Sequence, residues 1–357
     1  GAVGAMGLGT MLIHEMPRHP GREIGYIATS LLAAAVIGAG LGLAFVIVTP
    51  LLSGQFAPVR DSLVLAILVI DQALIGLLRS GVQLVRNVLA AVLRLILLAV
   101  LALGASNAAG VGMVAPWVLS TIASMAALGV YAGLRGQLRD AHPFDWRFLG
   151  QQWLPALQHH TLNLAIQLPG WAMPIVAVAA LSARENGGFY LAWQLVGIAA
   201  FVQVSLTWIL YAAAARDRSS LARWGWLTLR LSVVTAVASA AALWILGPLV
   251  LELFGRGYSD TGRQALVALP FTVLLGVVKA HYITVHRVLG TLSVAARLVA
   301  VAAVMEIAGG YVGASIGGLQ GLGTGLVVAM AVEILPMIPI VYRQIVRPQL
   351  GVRWQPT

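Results

Sequence analysis

His159, Asn163 and Gln167 stand four residues apart in the apolar stretch 154–183, LPALQHHTLNLAIQLPGWAMPIVAVAALSA. On a helix such positions share one face, so the three side chains form a polar stripe, with His160 beside it. Carboxamides and imidazoles on one face exchange hydrogen bonds with a polar solute or with a neighbouring helix. Pro169 and Pro174, with Gly170 between them, take donors out of the same backbone ladder and mark a place where the helix is expected to break or gate. About 20 helical residues cross a ~30 Å hydrocarbon core, so the stretch is long enough to span a bilayer. A polar stripe with proline breaks suits a membrane helix that lines a cavity. It equally suits polar groups that bond neighbouring helices and prolines that only kink the span.

The other chemistry-bearing residues inside apolar stretches are ionisable. Asp71 lies near the middle of 62–79, next to Gln72; Glu306 falls toward the end of 290–309; Glu333 sits three residues before Pro336. Lys279, Tyr282 and His286 follow at i, i+3 and i+7 and share a face. An unpaired charge at mid-bilayer costs at least ~2.5–3.5 kcal/mol on insertion scales, so each of these needs a partner or water. They either line a cleft, with the lysine holding an anionic headgroup and the carboxylates coupling to a cation gradient, or they pair with one another. No catalytic residue is expected. The outward loops are short, and no glycine-rich phosphate loop with Lys-Ser/Thr is present. The glycines of GGYVGASIGGLQGLGTGL, 309–326, read as close helix packing through small residues. No metal is expected at His159 and His160, because no carboxylate or further His recurs at ligand spacing on that span.

These residues must be carried by membrane helices. The chain is 60% hydrophobic and 10% charged, with a mean hydropathy of +0.91, against about 25% charged in a soluble domain. Without cysteine it has neither disulfides nor thiolate metal sites. Apolar segments run at about 1–13, 25–49, 62–79, 88–105, 111–134, 154–183, 188–215, 225–247, 264–281, 290–309 and 318–342, eleven spans with the first partial. The opening run is too short to span and reads as the tail of a helix whose start, with a preceding helix, is missing. Basic residues alternate between loops: fourteen, Arg287 among them, fall on one side and four (Arg60, Arg184, Arg256, Arg263) on the other. That bias places the rich side and the C-terminus in the cytoplasm and accounts for the net charge of +10 without a nucleic-acid partner. Arg94, Arg230 and Arg297 lie within spans near their basic ends, where they can snorkel.

An internal repeat organises the spans. Pro50 and Pro248 each end an apolar run. Arg79 and Arg86 match Lys279 and His286 at the same seven-residue spacing, and Arg94 matches Arg297. The near-constant offset corresponds to six helices, which gives two halves of equal orientation about an axis along the membrane normal. The expected organisation is all-α. It has an N-terminal bundle at 1–134, lacking its first helix, a cytoplasmic linker at 135–153 and a C-terminal bundle at 154–357, about twelve transmembrane helices in full.

The run LNLAIQLPGWAMPIVAVAALSARENGGFYLAWQL, 162–195, resembles the seventh-to-eighth helix region of lipid-linked oligosaccharide flippases. These belong to the multidrug/oligosaccharidyl-lipid/polysaccharide exporter superfamily. LELFGRGYSDTGRQALVALPF, 251–271, is similar to the loop after that family's ninth helix, and VGASIGGLQGLGTGL, 312–326, to the start of its twelfth. GLGTMLIHEMPR is similar to its second helix and the basic turn after it. The resemblance implies two pseudo-symmetric six-helix bundles around a V-shaped central cleft that opens to each side in turn. It implies flipping of a polyprenyl-diphosphate-linked oligosaccharide to the outer leaflet of the cell membrane for envelope polysaccharide, beside other assembly proteins of that polymer. No cofactor is implied beyond H⁺ or Na⁺ as coupling ion. Asp71, Gln72, His159, His160, Asn163, Gln167, Lys279, Tyr282 and Glu333 are then the cleft candidates on physical grounds, with Pro169, Gly170, Pro174 and Pro336 as gating positions. A cation-coupled drug exporter of the same superfamily is the competing expectation. It would need acidic residues to dominate the cavity.

Overall fold

The computed structural model describes residues 80–104, 111–134 and 146–352, with single positions between 10 and 37. The expected spans at 1–13, 25–49 and 62–79, and with them Asp71 and Gln72, lie largely or wholly outside the described residues. The chain divides into two compact units, Gly1–Thr161 and Leu162–Thr357. Every described element is helical.

The first unit holds α1 (Ser80–Gly104), α2 (Val111–Leu134) and the start of α3 (Trp146–Ala180). α2 has the bounds that its apolar run sets. α3 continues as helix through Pro169 and Pro174, so the expected break at Pro169, Gly170 and Pro174 is corrected. A carbonyl freed by proline in an apolar span has no water to turn to, and the rest of the ladder holds the helix together.

In the second unit α3 is followed by α4 (Ala183–Arg216), α5 (Leu221–Glu252), α6 (Arg256–Ala268), α7 (Pro270–Leu289) and α8 (Leu292–Glu333). Short turns α9 (Ile338–Val341) and α10 (Arg347–Val352) flank a single π-turn. The helix ends follow local chemistry. Ser182 caps α4, its Oγ accepting the Glu185 N–H at 3.3 Å while Glu185 Oε2 accepts the Ser182 N–H at 2.9 Å. Asp217 closes the turn into α5. Its Oδ1 accepts the Ser219 hydroxyl at 2.6 Å and the Ser219 N–H at 3.0 Å, bonds that hold its carboxyl below the ordinary carboxylate range. Gly255, at φ +110°, turns α5 into α6. α6 and α7 meet at a bend of 43° at Leu269, and α7 ends on Gly290 at φ +74°, whose N–H returns to the His286 carbonyl.

α8 would be about 63 Å long if straight, twice the hydrocarbon thickness. It is not straight: Gly317 and Gly318 leave helical geometry, Gly318 at φ +58°, and the chain folds back. The two limbs touch through glycine. A Cβ on Gly313 would strike the Gly321 carbonyl, and one on Gly325 the Gly309 carbonyl. Pairs whose numbers rise on one limb as they fall on the other make an antiparallel hairpin. The small-residue reading of 309–326 is therefore seen directly.

Among the described residues, four helices (α3, α4, α5 with its preceding turn, and α8) are long and apolar enough to cross a membrane, and the bent α6–α7 pair is a fifth candidate. The protein is an all-α, multi-pass membrane protein. Inside the second unit the layers are graded. Phe189, Leu251, Leu266, Leu269, Leu322 and Leu326 belong to an apolar cluster near the hairpin tip. Toward the other end the same helices bury Thr207, Thr228, Lys279, His281, Glu306 and Glu333.

Candidate functional site

α7 carries the polar layer. Val273 and Val277 belong to the apolar cluster. From Lys279 onward the helix buries Lys279, His281, Tyr282, Thr284, His286 and Arg287. The expected span 264–281 ended where these polar residues lower the hydropathy. The helix instead continues to Leu289, because α4, α5 and α8 cover it. Arg287, counted on sequence as a loop cation, is thus an intrahelical residue and only 7% exposed.

Lys279, halfway along α7, is the centre of a three-charge cluster. Its Nζ donates to Glu306 Oε1 on the first limb of α8 and stands 2.9 Å from Glu333 Oε1 at the end of the second. Both carboxylates are buried. The hairpin is what brings them together: residues 27 apart in sequence meet only because α8 folds back at Gly317–Gly318. Glu306 is mid-limb rather than near a span end, since the first limb runs on through the glycines. Glu333 ends its helix, and Pro336 lies in the turn that follows. The two carboxylates differ. Glu306 receives the lysine's hydrogen bond, whereas both Glu333 oxygens lack a well-directed donor. With all three groups ionised the cluster keeps one net negative charge.

Beyond Lys279 the helix holds a second group. His281 Nδ1–H donates to the Val277 carbonyl at 2.8 Å, leaving Nε2 toward the Thr228 hydroxyl at 3.3 Å. Tyr282 packs edge-on against His286 at 4.4 Å, as their shared face requires, and His286 Nδ1 meets Thr291 Oγ1 at 2.6 Å. Arg287 reaches α3 and α4. Its Nη2 donates to Asn163 Oδ1 at 2.6 Å, and its guanidinium lies 4.7 Å from the Trp208 ring centre and 6.0 Å from that of Tyr211.

The sequence candidates therefore fall into separate places. Lys279 and Glu333 meet, joined by Glu306. Asn163 meets Arg287. Gln167 is exposed on α3, and His159 and His160 are buried within the first unit. Arg230 and Arg297 are exposed, as snorkelling side chains are, Arg230 over the Trp226 ring at 5.8 Å. Among the described residues no three His, Asp or Glu side chains converge as metal ligands would. Arg287 was missed on sequence. The signal was the continued helical spacing of Tyr282, His286 and Arg287 past the end of the apolar run.

No protein-family model matches the chain, and no curated protein does. Solved structures do. An outward-facing multidrug resistance MATE family transporter of the MOP superfamily superposes with a TM-score of 0.71 at 17% identity, over 99% of this chain and 86% of that one. A MATE structure in its straight conformation gives 0.75 at 18% identity, over 96% and 84%. A MOP superfamily transporter from Pyrococcus furiosus, described as having a binding pocket of reversed polarity that suggests a different function, gives 0.71 at 17% identity, over 96% and 84%. The chain therefore has the fold of these transporters.

Proposed function

We propose that this chain is a cation-coupled exporter working by alternating access in the cell membrane, with the Lys279–Glu306–Glu333 cluster as its coupling centre and its C-terminus in the cytoplasm. The observation that carries the reading is that cluster. Two carboxylates from the two limbs of one hairpin converge on a single buried ammonium at mid-helix. Charge in that position is costly unless it has a use, and a surplus carboxylate is what a cation gradient can load and unload. Within the cluster itself two carboxylates face one lysine, so the cluster carries surplus acid even though Arg287 adds a second cation farther along the same helix. Neighbours described as multidrug resistance transporters support an exporter rather than an enzyme.

Flipping of a polyprenyl-diphosphate-linked oligosaccharide for envelope polysaccharide is the second reading. It draws on the sequence resemblance, and on the neighbour whose pocket polarity is reversed. That neighbour's description speaks for a different function on the same fold, and one fold can host several functions. One experiment separates the two. The protein is reconstituted in vesicles, and a cationic dye is followed under an imposed H⁺ or Na⁺ gradient. In parallel vesicles a polyprenyl-diphosphate sugar is loaded on one side and exposed to an impermeant glycan-cleaving enzyme on the other. Gradient-dependent dye movement that Glu333→Gln abolishes is the expected result. Glycan exposure without dye movement establishes the second reading, and movement of neither substrate overturns both.

A further inference from the structure

Among the described residues, no carboxylate pairs with the buried Arg287 cation. Of its five N–H donors, one meets a partner among these residues, Asn163 Oδ1. Nε is buried without a partner. Trp208 and Tyr211 lie against the guanidinium, and a π-face stabilises a cation without neutralising it. Among the described residues no carboxylate lies within ion-pair distance of it. Lys279, eight residues earlier on the same helix, meets two carboxylates, whereas Arg287 meets none among the described residues.

A guanidinium does not escape burial by giving up its proton at physiological pH. Burying an uncompensated charge is strongly unfavourable. The carbonyl end of α7 offsets part of that cost, because His286 and Arg287 stand in the last turn, where the helix dipole favours positive charge. A partial charge at a helix end is too small to balance a buried ion. The geometry points to an external counter-ion. Trp208, Tyr211 and Asn163 fix the guanidinium plane and hold one edge of the fork, leaving donors for a planar or tetrahedral oxyanion.

We propose that Arg287, held by Asn163, Trp208 and Tyr211, is a binding site for an oxyanion of the phosphate class. The anion is supplied either by a lipid headgroup or by a soluble phosphate. The site is argued from its own contacts and depends on neither transport reading.

The test uses the full chain in nanodiscs. In zwitterionic phosphatidylcholine discs, inorganic phosphate and pyrophosphate are titrated by calorimetry and by thermal unfolding. In a second series phosphatidylglycerol replaces part of the lipid, and retained lipid is counted by native mass spectrometry. Saturable phosphate binding to the wild type, weakened at least tenfold in Arg287→Met and less in Arg287→Lys, identifies a soluble anion. Retention and stabilisation by phosphatidylglycerol alone, lost in Arg287→Met, identifies a headgroup. Either result supports the site. A wild type that binds neither probe overturns it, whatever the variants do, and so does an Arg287→Met protein that binds either probe as the wild type does. If Arg287→Met does not fold, the wild-type titrations and Arg287→Lys decide alone.

Discussion

At the residue scale the Lys279 cluster makes two carboxylates unequal. Glu306 accepts the lysine's hydrogen bond; Glu333 Oε1 is ion-paired with the same ammonium at 2.9 Å, in less favourable hydrogen-bond geometry. Removing the lysine strands both carboxylates in a buried layer, and breaking a buried pair from one side costs about 3–5 kcal/mol. Lys279→Met should therefore lower the unfolding midpoint strongly. Adding Glu306→Gln to it should recover part of the loss, which a double-mutant cycle on thermal unfolding reads directly. Glu333→Gln should behave differently, because it leaves Lys279 and Glu306 as a balanced pair. Its stability should stay within about 1 kcal/mol of wild type, a typical net hydrogen-bond contribution, while gradient-driven transport is lost. An equal stability loss in Glu306→Gln and Glu333→Gln would show that the two carboxylates are interchangeable and remove the argument for Glu333 as the exchanging group.

At the element scale the cluster exists because α8 is a hairpin, and the hairpin exists because its limbs meet without side chains. Gly313→Ala or Gly321→Ala inserts a methyl group against a facing carbonyl, and overpacking of this kind costs about 1–3 kcal/mol. Gly317→Ala meets nothing within 4 Å and should be tolerated. Gly318→Ala has space but sits at φ +58°, a backbone strain of about 1–3 kcal/mol. Unfolding midpoints of the four variants should therefore order as Gly317→Ala above the rest, and a uniform response across all four would count against the hairpin contact. The close packing at 309–326 was legible in the sequence, because a run rich in glycine has one ready physical use in a membrane helix, but which limbs it joins was not. The end of α7 was not legible. Hydropathy marks a span by what faces lipid, and from Lys279 to Arg287 this helix faces protein on every side. The continuity of α3 was misread for a related reason. Proline removes a donor, yet whether the helix then opens depends on what else can take the freed carbonyl, and in an apolar span nothing does.

At the scale of the whole molecule, composition and apolar period sufficed for an all-α, multi-pass membrane fold, whereas helix pairing was invisible. Nothing in the order of residues says that Lys279 meets Glu306 and Glu333 while Arg287 meets Asn163. Orientation in the membrane is the property that basic-loop bias foretells and that labelling can check. In the second unit, Arg218 lies at the exposed turn between α4 and α5, at the end of those helices remote from the apolar cluster. Gly317 lies at the hairpin tip, beside that cluster, where Ala314 and Leu319 pack. The two positions thus mark opposite ends of one unit. The chain contains no cysteine, so a single introduced thiol is the sole reactive one. Arg218→Cys should react with a membrane-impermeant maleimide only after cells are permeabilised, and Gly317→Cys should react in intact cells. That pattern puts the polar layer of Lys279, His286 and Arg287 on the cytoplasmic side of the apolar cluster, so substrate or coupling ion would meet the charged groups before the greasy seal. The reverse pattern would invert the topology and make Arg287 an outward-facing site, which no positive-inside argument allows.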